Sequence, residues 1–411
     1  DCTFSGNSAL LGGGMYNDGS QGGTASSVLT DCVFSSNTAT YGGAMYNLSD
    51  NNGYASPVLT GCTFSANVAI TNAPDDRTGG GAVFNDAGLN SQSSPSFTHC
   101  TFSNNSASGY KGGAIYSESF SGEASPSLVK CTFSGNMAAK GGCLYAVASE
   151  QGVASPGGYD CTFSGNTATL GGVAFSLTNT ASAISMIFRN SLFFNNTAAE
   201  RGGVLAYEDA HVGSPSFYNC TFYNNTAPQG GVIGLVSWNN GHKSAKLWNC
   251  ITWGNTSTFS QTAAGLGSLD IDYSLIQEAA CPTGGACATG VIYNQDPRFV
   301  NVAAHNLHLM NTSPAKNTAN AYAPPFDFDG DARPQGPATD MGYDEILFAC
   351  PPGPIVFVDK DATAGTDNGT SWANAYIHLQ DALDAAAFCP GNVQEIWVAE
   401  GTYLPTTPRN G

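Results

Sequence analysis

Charge is what this 411-residue sequence has least of: 13 Lys and Arg stand against 31 Asp and Glu, 11% charged in all, for a formal net charge of −18. A soluble domain ordinarily carries about 25% charged residues, so the polar surface here must be built from Ser, Thr, Asn and Gly. That composition excludes a coiled coil, whose apolar seam needs charged flanks. Nucleic acid is excluded as a partner, because so few bases cannot neutralise phosphates by counterion release, and an acidic membrane surface would repel the chain. No apolar run reaches the roughly 18 residues of a spanning helix, so no direct membrane span is expected. Catalytic and metal signatures are missing too: there is no His-Glu-x-x-His, no short Cys-x-x-Cys pair and no Gly-x-Ser-x-Gly elbow. Asp1 opens in the middle of a repeat with no signal peptide, so the sequence is expected to be an excised or mature piece. With 42% hydrophobic residues it can bury a large core, as two or three domains or as one elongated array.

What is present is a repeat. Cysteine recurs at Cys2, Cys32, Cys62, Cys100, Cys131, Cys161, Cys220 and Cys250, with Ser191 in the one vacant place, a period of about 30 residues. Two residues after each comes an aromatic or Thr (Phe4, Phe34, Phe64, Phe102, Phe133, Phe163, Phe193, Phe222, Thr252). Five after comes Asn: Asn7, Asn37, Asn67, Asn105, Asn136, Asn166, Asn196, Asn225 and Asn255. A Gly-Gly pair and a strand-like run usually follow, as in Gly42-Gly43-Ala44-Met45-Tyr46, and a further short strand, often opened by Pro, precedes the next Cys. A unit of three short strands and three turns cannot bury its apolar side alone, so the units must stack, each strand pairing with its counterpart one period away. The expected fold is therefore all-β, a right-handed parallel β-helix; the hand follows from the rule for parallel connections.

Each repeated residue has a structural role available. Asn tolerates left-handed backbone and bonds its own turn, so a stacked Asn turn is expected. Gly-Gly suits a turn of positive φ and close packing between coils. The Cys column could bind metal, form disulfides or serve as small apolar filling; one thiol per coil does not converge as metal ligands do, and buried free Cys packs as a small hydrophobe. Cys281 and Cys287 in a Gly-rich loop, and Cys350 and Cys389 flanking a compact segment, are disulfide candidates, which suits an oxidising extracellular setting. Cys143 is expected unpaired. Whether the Ala44 and Tyr46 row or the Met45 row faces inward stays open.

The run Cys161-Thr162-Phe163-Ser164-Gly165-Asn166-Thr167-Ala168, followed by Gly171-Gly172, resembles the repeats of polymorphic outer-membrane proteins and of secreted bacterial right-handed β-helix proteins. The likeness spans about residues 1–260 and speaks for fold, since these motifs are scaffold. Residues 261–346, with Ser313-Pro314-Ala315, Asp327 to Arg333 and Asp340 to Glu345, resemble the terminal coils and cap of large bacterial surface β-helices, including choice-of-anchor proteins, although Lys316-Asn317 replaces their usual Ile-Asp. Pro351, Pro352 and Pro354 make 347–354 a stiff linker. Beyond it, residues 355–411 read as β-α-β, with Tyr376, Leu379, Leu383 and Ala387 on one side of the helix, and resemble the N-terminal cap of a following β-helix.

Asp327, Asp329 and Asp331 alternate around Gly330 as a calcium loop begins, but Ala338 stands where an EF-hand would place Glu. Calcium is thus one expectation for this loop, and an Arg333 pairing with one of these carboxylates or with Asp340 is the other. No other cofactor is expected. A polysaccharide-active β-helix enzyme would need carboxylates facing one another across a groove. Only Asp75-Asp76-Arg77 offers an acidic doublet beside a base within the repeats, and it sits in one inserted loop. His305 and His308 could share a site, though surface histidines are the simpler reading. Tyr54, Tyr110, Phe120 and Trp238 in the variable loops could stack on sugars. The expected role is an extracellular or cell-surface structural or adhesive rod. Its partners would be copies of itself or adjacent β-helix domains end to end, with glycans or cell surfaces as further partners; an enzyme or an autotransporter-like passenger is the alternative.

Overall fold

A computed structural model describes residues 1–70, 77–179, 182, 184–209, 213–237, 242–261, 266–320, 322–347, 350–363, 365–389 and 391–403. The chain divides into two compact units, Asp1–Asp296 with Met341–Tyr343, and Pro297–Asp340 with Asp344–Gly411.

The first unit is a parallel β-solenoid. Three long ladders run along it: 11 strands from Thr3–Ser5 to Ile292–Tyr293, 9 from Met15–Asp18 to Phe259–Gln261, and 10 from Val28–Thr30 to Gly285–Cys287. These are the three strands anticipated for each unit. A fourth ladder of 6 strands, two to six residues long, from Thr38–Ala39 to Thr197–Arg201, follows directly on the Asn turn and was not foreseen, because so close to the turn it reads as part of it. Register is strict: Phe4 pairs with Phe34, Phe34 with Phe64 and Phe64 with Phe102. The ladders also continue past residue 260, through Leu275–Ile276 and Ile292–Tyr293, so the expected boundary at 260 falls inside this unit.

Strand spacing explains the core. Neighbouring strands lie about 4.8 Å apart, which is also a good stacking distance for rings, so identical Phe residues stack face to face up the axis. Phe34 and Phe64 have centroids 4.8 Å apart at 4°, and Phe102 and Phe133 are 4.7 Å apart at 1°. Burying each ring stabilises the fold by roughly 2–3 kcal/mol. In the Gly-Gly strand the Met45, Val83, Ile115 and Leu144 row joins this core together with the Ala44 row. The Tyr46, Phe84, Tyr116, Tyr145 and Phe175 row forms a separate cluster, partly covered by Leu11, Tyr41 and Leu170. The two glycines have distinct duties. Gly42 holds φ +63°, and a Cβ on Gly43 would lie 2.1 Å from the carbonyl of Gly81 in the next coil.

In the second unit Phe299–Asn301 and Asn306–Leu309 form an antiparallel pair joined by the 3-10 turn Val302–Ala304. Ile355–Val358 pairs parallel with Glu395–Val398 across the helix Leu379–Phe388, the expected β-α-β. The buried face matches the expected one in part: Tyr376 and Leu379 join Ala382 and Ala385 against Val356 and Val358, while Leu383 is 43% exposed and Ala387 is exposed. Small residues let the helix approach a two-stranded sheet closely, and the longer Leu is left outside. Cys281–Cys287 and Cys350–Cys389 are both disulfides, one in each unit. Within the second unit, Lys316 meets Asp381 at 3.0 Å and Asn311 Nδ2 donates to the Asp367 carbonyl, contacts that reach across the linker expected at 347–354.

Candidate functional sites

The Asn row is an inner hydrogen-bond chain. The backbone N–H and Nδ2 of Asn105 both donate to Oδ1 of Asn136 at 3.0 Å; Asn136 Nδ2 in turn donates to the Phe102 carbonyl and to Asn166 Oδ1, each at 3.0 Å. The same pattern runs from Asn7 through Asn37, Asn67, Asn105, Asn136, Asn166, Asn196 and Asn225 to Asn255, and ends on Gln277, whose Oε1 accepts from the Asn255 N–H at 2.8 Å. The left-handed residue of the turn is not this Asn but the one before it, Ser36, Ala66, Asn104 or Gly135 among others. The Asn side chain therefore bonds between coils instead of bracing its own turn. A second buried chain escaped sequence reading: Asn17 Nδ2 donates to Asn47 Oδ1 at 2.8 Å, and Asn47 Nδ2 to Asn85 Oδ1 at 2.9 Å. Its signal was legible in Met15-Tyr16-Asn17 and Met45-Tyr46-Asn47 as Asn recurring two places after Met.

The column thiols are free, and all but Cys2 are buried. Each of the regular ones makes weak bonds to carbonyls: Cys131 Sγ reaches the Phe97 and Val129 oxygens at 3.4 Å. The hydrogen bond with Cys131, foremost, pushes the Cys100 thiol up to about 12, and burial drives Cys143 well above the usual thiol range. Such thiols are not nucleophiles. Ser191 and Ser274 continue the column, each hydroxyl accepting from the N–H of Cys161 and Cys250 respectively.

On the outer face, the row two residues beyond the Tyr46 row carries charge. Asp86 and Glu118 are direct partners on neighbouring strands. Arg77 bridges them, Nη2 to Asp86 Oδ2 and Nε to Glu118 Oε2, both at 2.7 Å, and Tyr46 Oη donates to Asp86 Oδ2 at 2.6 Å. Burial raises the Glu118 carboxyl despite the guanidinium. Further along, Lys140 lies 4.7 Å over the Phe175 ring and 3.7 Å from Glu208. So the doublet's Arg77 finds its carboxylates on strands well beyond it in sequence, while Asp75 and Asp76 lie outside the described residues, as do His211 and Trp238. A guanidinium spanning two carboxylates is the arrangement of a structural bridge.

In the second unit the Asp327 carboxylate is fully engaged. Its Oδ1 accepts from the N–H groups of Asp329, Gly330 and Asp331 at 2.8 to 2.9 Å, and Oδ2 accepts from Glu345 N at 2.9 Å. Arg333, buried, donates to the Asp340 carbonyl at 3.0 Å and to Glu345 Oε2 at 3.3 Å, so its carboxylate partner here is Glu345. Asp329 turns instead toward His308, Oδ2 to Nε2 at 2.7 Å, and both converge with Asp344. Asp331 stays near Asp327 and Asp329, and desolvation, with their charges adding to it, raises its carboxyl. His305 is not part of this group. Nothing in the spacing of His308, Asp329 and Asp344 announces their meeting, which only the folding of three loops produces.

Residues 99–118 match the Chlamydia polymorphic membrane protein repeat. The matched stretch holds one Cys-x-Phe strand, its Asn turn, the Gly-Gly pair and most of the strand Ile115–Phe120. This repeat belongs to bacterial outer-membrane and surface proteins, and together with the β-solenoid it fits a bacterial β-helix repeat surface protein. No curated protein matches the chain. Among the described residues, no helix is long and apolar enough to cross a membrane.

Proposed function

We propose that the chain is an extracellular structural or adhesive rod, a module of a head-to-tail β-helix surface fibre. The observation that carries this reading is that the repeated polar side chains are spent on their own counterparts one coil away, as in the Asn7 to Asn255 chain. What varies from coil to coil is the turns, where Tyr54 is 47% and Phe120 55% exposed. A fixed frame with variable turns suits recognition of glycans or cell surfaces, and flat exposed rings suit sugar faces or a neighbouring rod. The β-α-β segment, which resembles the opening of a further β-helix, supports end-to-end partners: copies of this chain or adjacent domains.

The test is binding of the purified chain to glycan arrays, cells and itself, alongside the double variant Tyr54→Ser and Phe120→Ser. Loss of about tenfold or more in binding, the scale of a truncated aromatic hot spot, supports adhesion through these turns. Release of reducing ends or unsaturated products from a polysaccharide panel would overturn the reading in favour of an enzyme.

A further inference from the structure

We infer that His308, Asp329 and Asp344 form a binding site for a first-row divalent metal ion of the zinc type. The three sit on separate elements: His308 on the strand Asn306–Leu309, Asp329 at the tip of the Asp327 turn, and Asp344 after the Asp340 segment. One ligand atom from each lies within 4.8 Å of the others. Asn306 Oδ1 accepts from the backbone N–H of His308 at 3.2 Å and lies 2.6 Å from its Nδ1. An amide oxygen can only accept, so Nδ1 carries the ring proton and the Nε2 lone pair points away from Asn306. It points at Asp329 Oδ2, 2.7 Å away. At that distance the two atoms share a proton, and a metal ion that displaced the proton would be held by the same two lone pairs.

Asp344 completes the ligand set. It is only 5% exposed, yet just one of its oxygens is used among the described residues: Oδ2 accepts from Leu309 N at 2.7 Å. Two carboxylates beside an oriented imidazole make a ligand set of the kind a divalent ion takes. The donor set selects the ion. Calcium and magnesium take oxygen ligands, whereas an imidazole with carboxylates suits zinc and its neighbours. Tetrahedral ligands about 2.0–2.1 Å from zinc stand about 3.3 Å apart, so Asp329 must draw back slightly from His308. Side-chain exposures of 39% for His308 and 43% for Asp329 leave room for that, and for water in the remaining positions.

The experiment uses the whole chain, stripped with chelator and titrated with Co²⁺ as a visible-spectrum probe and with Zn²⁺ in competition, on the wild type, His308→Gln, Asp329→Asn and, as a control, Asp331→Asn. The two site variants alter exposed side chains and leave Asp344 in place, so the fold is retained. Expected is one equivalent of Co²⁺ with nitrogen and oxygen ligation, displaced by Zn²⁺, weakened by more than about tenfold in both site variants, since even outer-shell changes cost that much, and unchanged in Asp331→Asn. Equal affinity in His308→Gln, a cobalt-thiolate band showing capture by the free cysteines, or a response to Ca²⁺ alone that Asp331→Asn abolishes would each overturn the inference. Failure here leaves the rod reading untouched.

Discussion

The solenoid and the second unit satisfy buried polar groups in opposite ways. In the solenoid, translation does the work: Asn136 bonds Asn105 and Asn166 because each coil offers the same side chain at the same height. In the second unit nothing repeats, and Asp327 alone satisfies four backbone N–H groups while Arg333 and Glu345 pair in a site 1% exposed on each side. The lesson is that a ladder spreads the penalty of a lost member over its neighbours' geometry, while a local hub concentrates it. Two polar strategies in one chain can therefore be told apart by substitution.

The largest expected effect comes from that contrast. Asp327→Ala orphans four donors and should destabilise the second unit by about 4–5 kcal/mol, whereas Asn136→Ala leaves a gap between two intact ladder segments and should cost about 2–3 kcal/mol. Urea unfolding followed separately by Trp fluorescence and far-UV circular dichroism measures both, and equal losses would remove the distinction.

Next come the disulfides. Cys350–Cys389 closes a separation of 39 residues and Cys281–Cys287 one of 6, so loop-closure entropy assigns about 4 kcal/mol to the first and about 2 kcal/mol to the second. Paired Cys→Ser variants at each bridge, compared by denaturant midpoint, should rank in that order.

The smallest effect is a pH dependence confined to the second unit. Burial, with Glu345 adding to it, pushes Asp340 up to about 7 from an unfolded value of 3.8. Between those values the folded state holds a proton that the unfolded chain has released, so this contribution to stability is present below 3.8 and is lost as pH rises through about 7. Melting of the second unit should therefore rise on mild acidification from pH 8 to about 5, and Asp340→Asn should flatten that slope. A slope unchanged in the variant would mean another group carries it.

Much of the fold was legible because a ladder needs like residues at like positions. The Cys, Phe and Asn rows all lie where their period places them, and the two disulfides join four of the five cysteines outside the column, Cys143 staying free. The fourth ladder was hidden by lying directly on the Asn turn, and the inner Asn17, Asn47 and Asn85 chain by the open choice of which row of the Gly-Gly strand faces inward. In the acidic loop the alternating Asp residues were visible, but not that Asp327 would be used up by backbone and Asp329 drawn to His308.

By itself, then, the sequence determined the stacking of coils, because a 30-residue unit with one apolar side has no other way to hide it and identical neighbours make the register unambiguous. Only the tertiary structure decided which carboxylates meet. Arg77 with Asp86 and Glu118, and His308 with Asp329 and Asp344, are brought together by turns of unequal length. Charges on separate elements leave no periodic trace, since their pairing depends on distance through space and not on spacing along the chain.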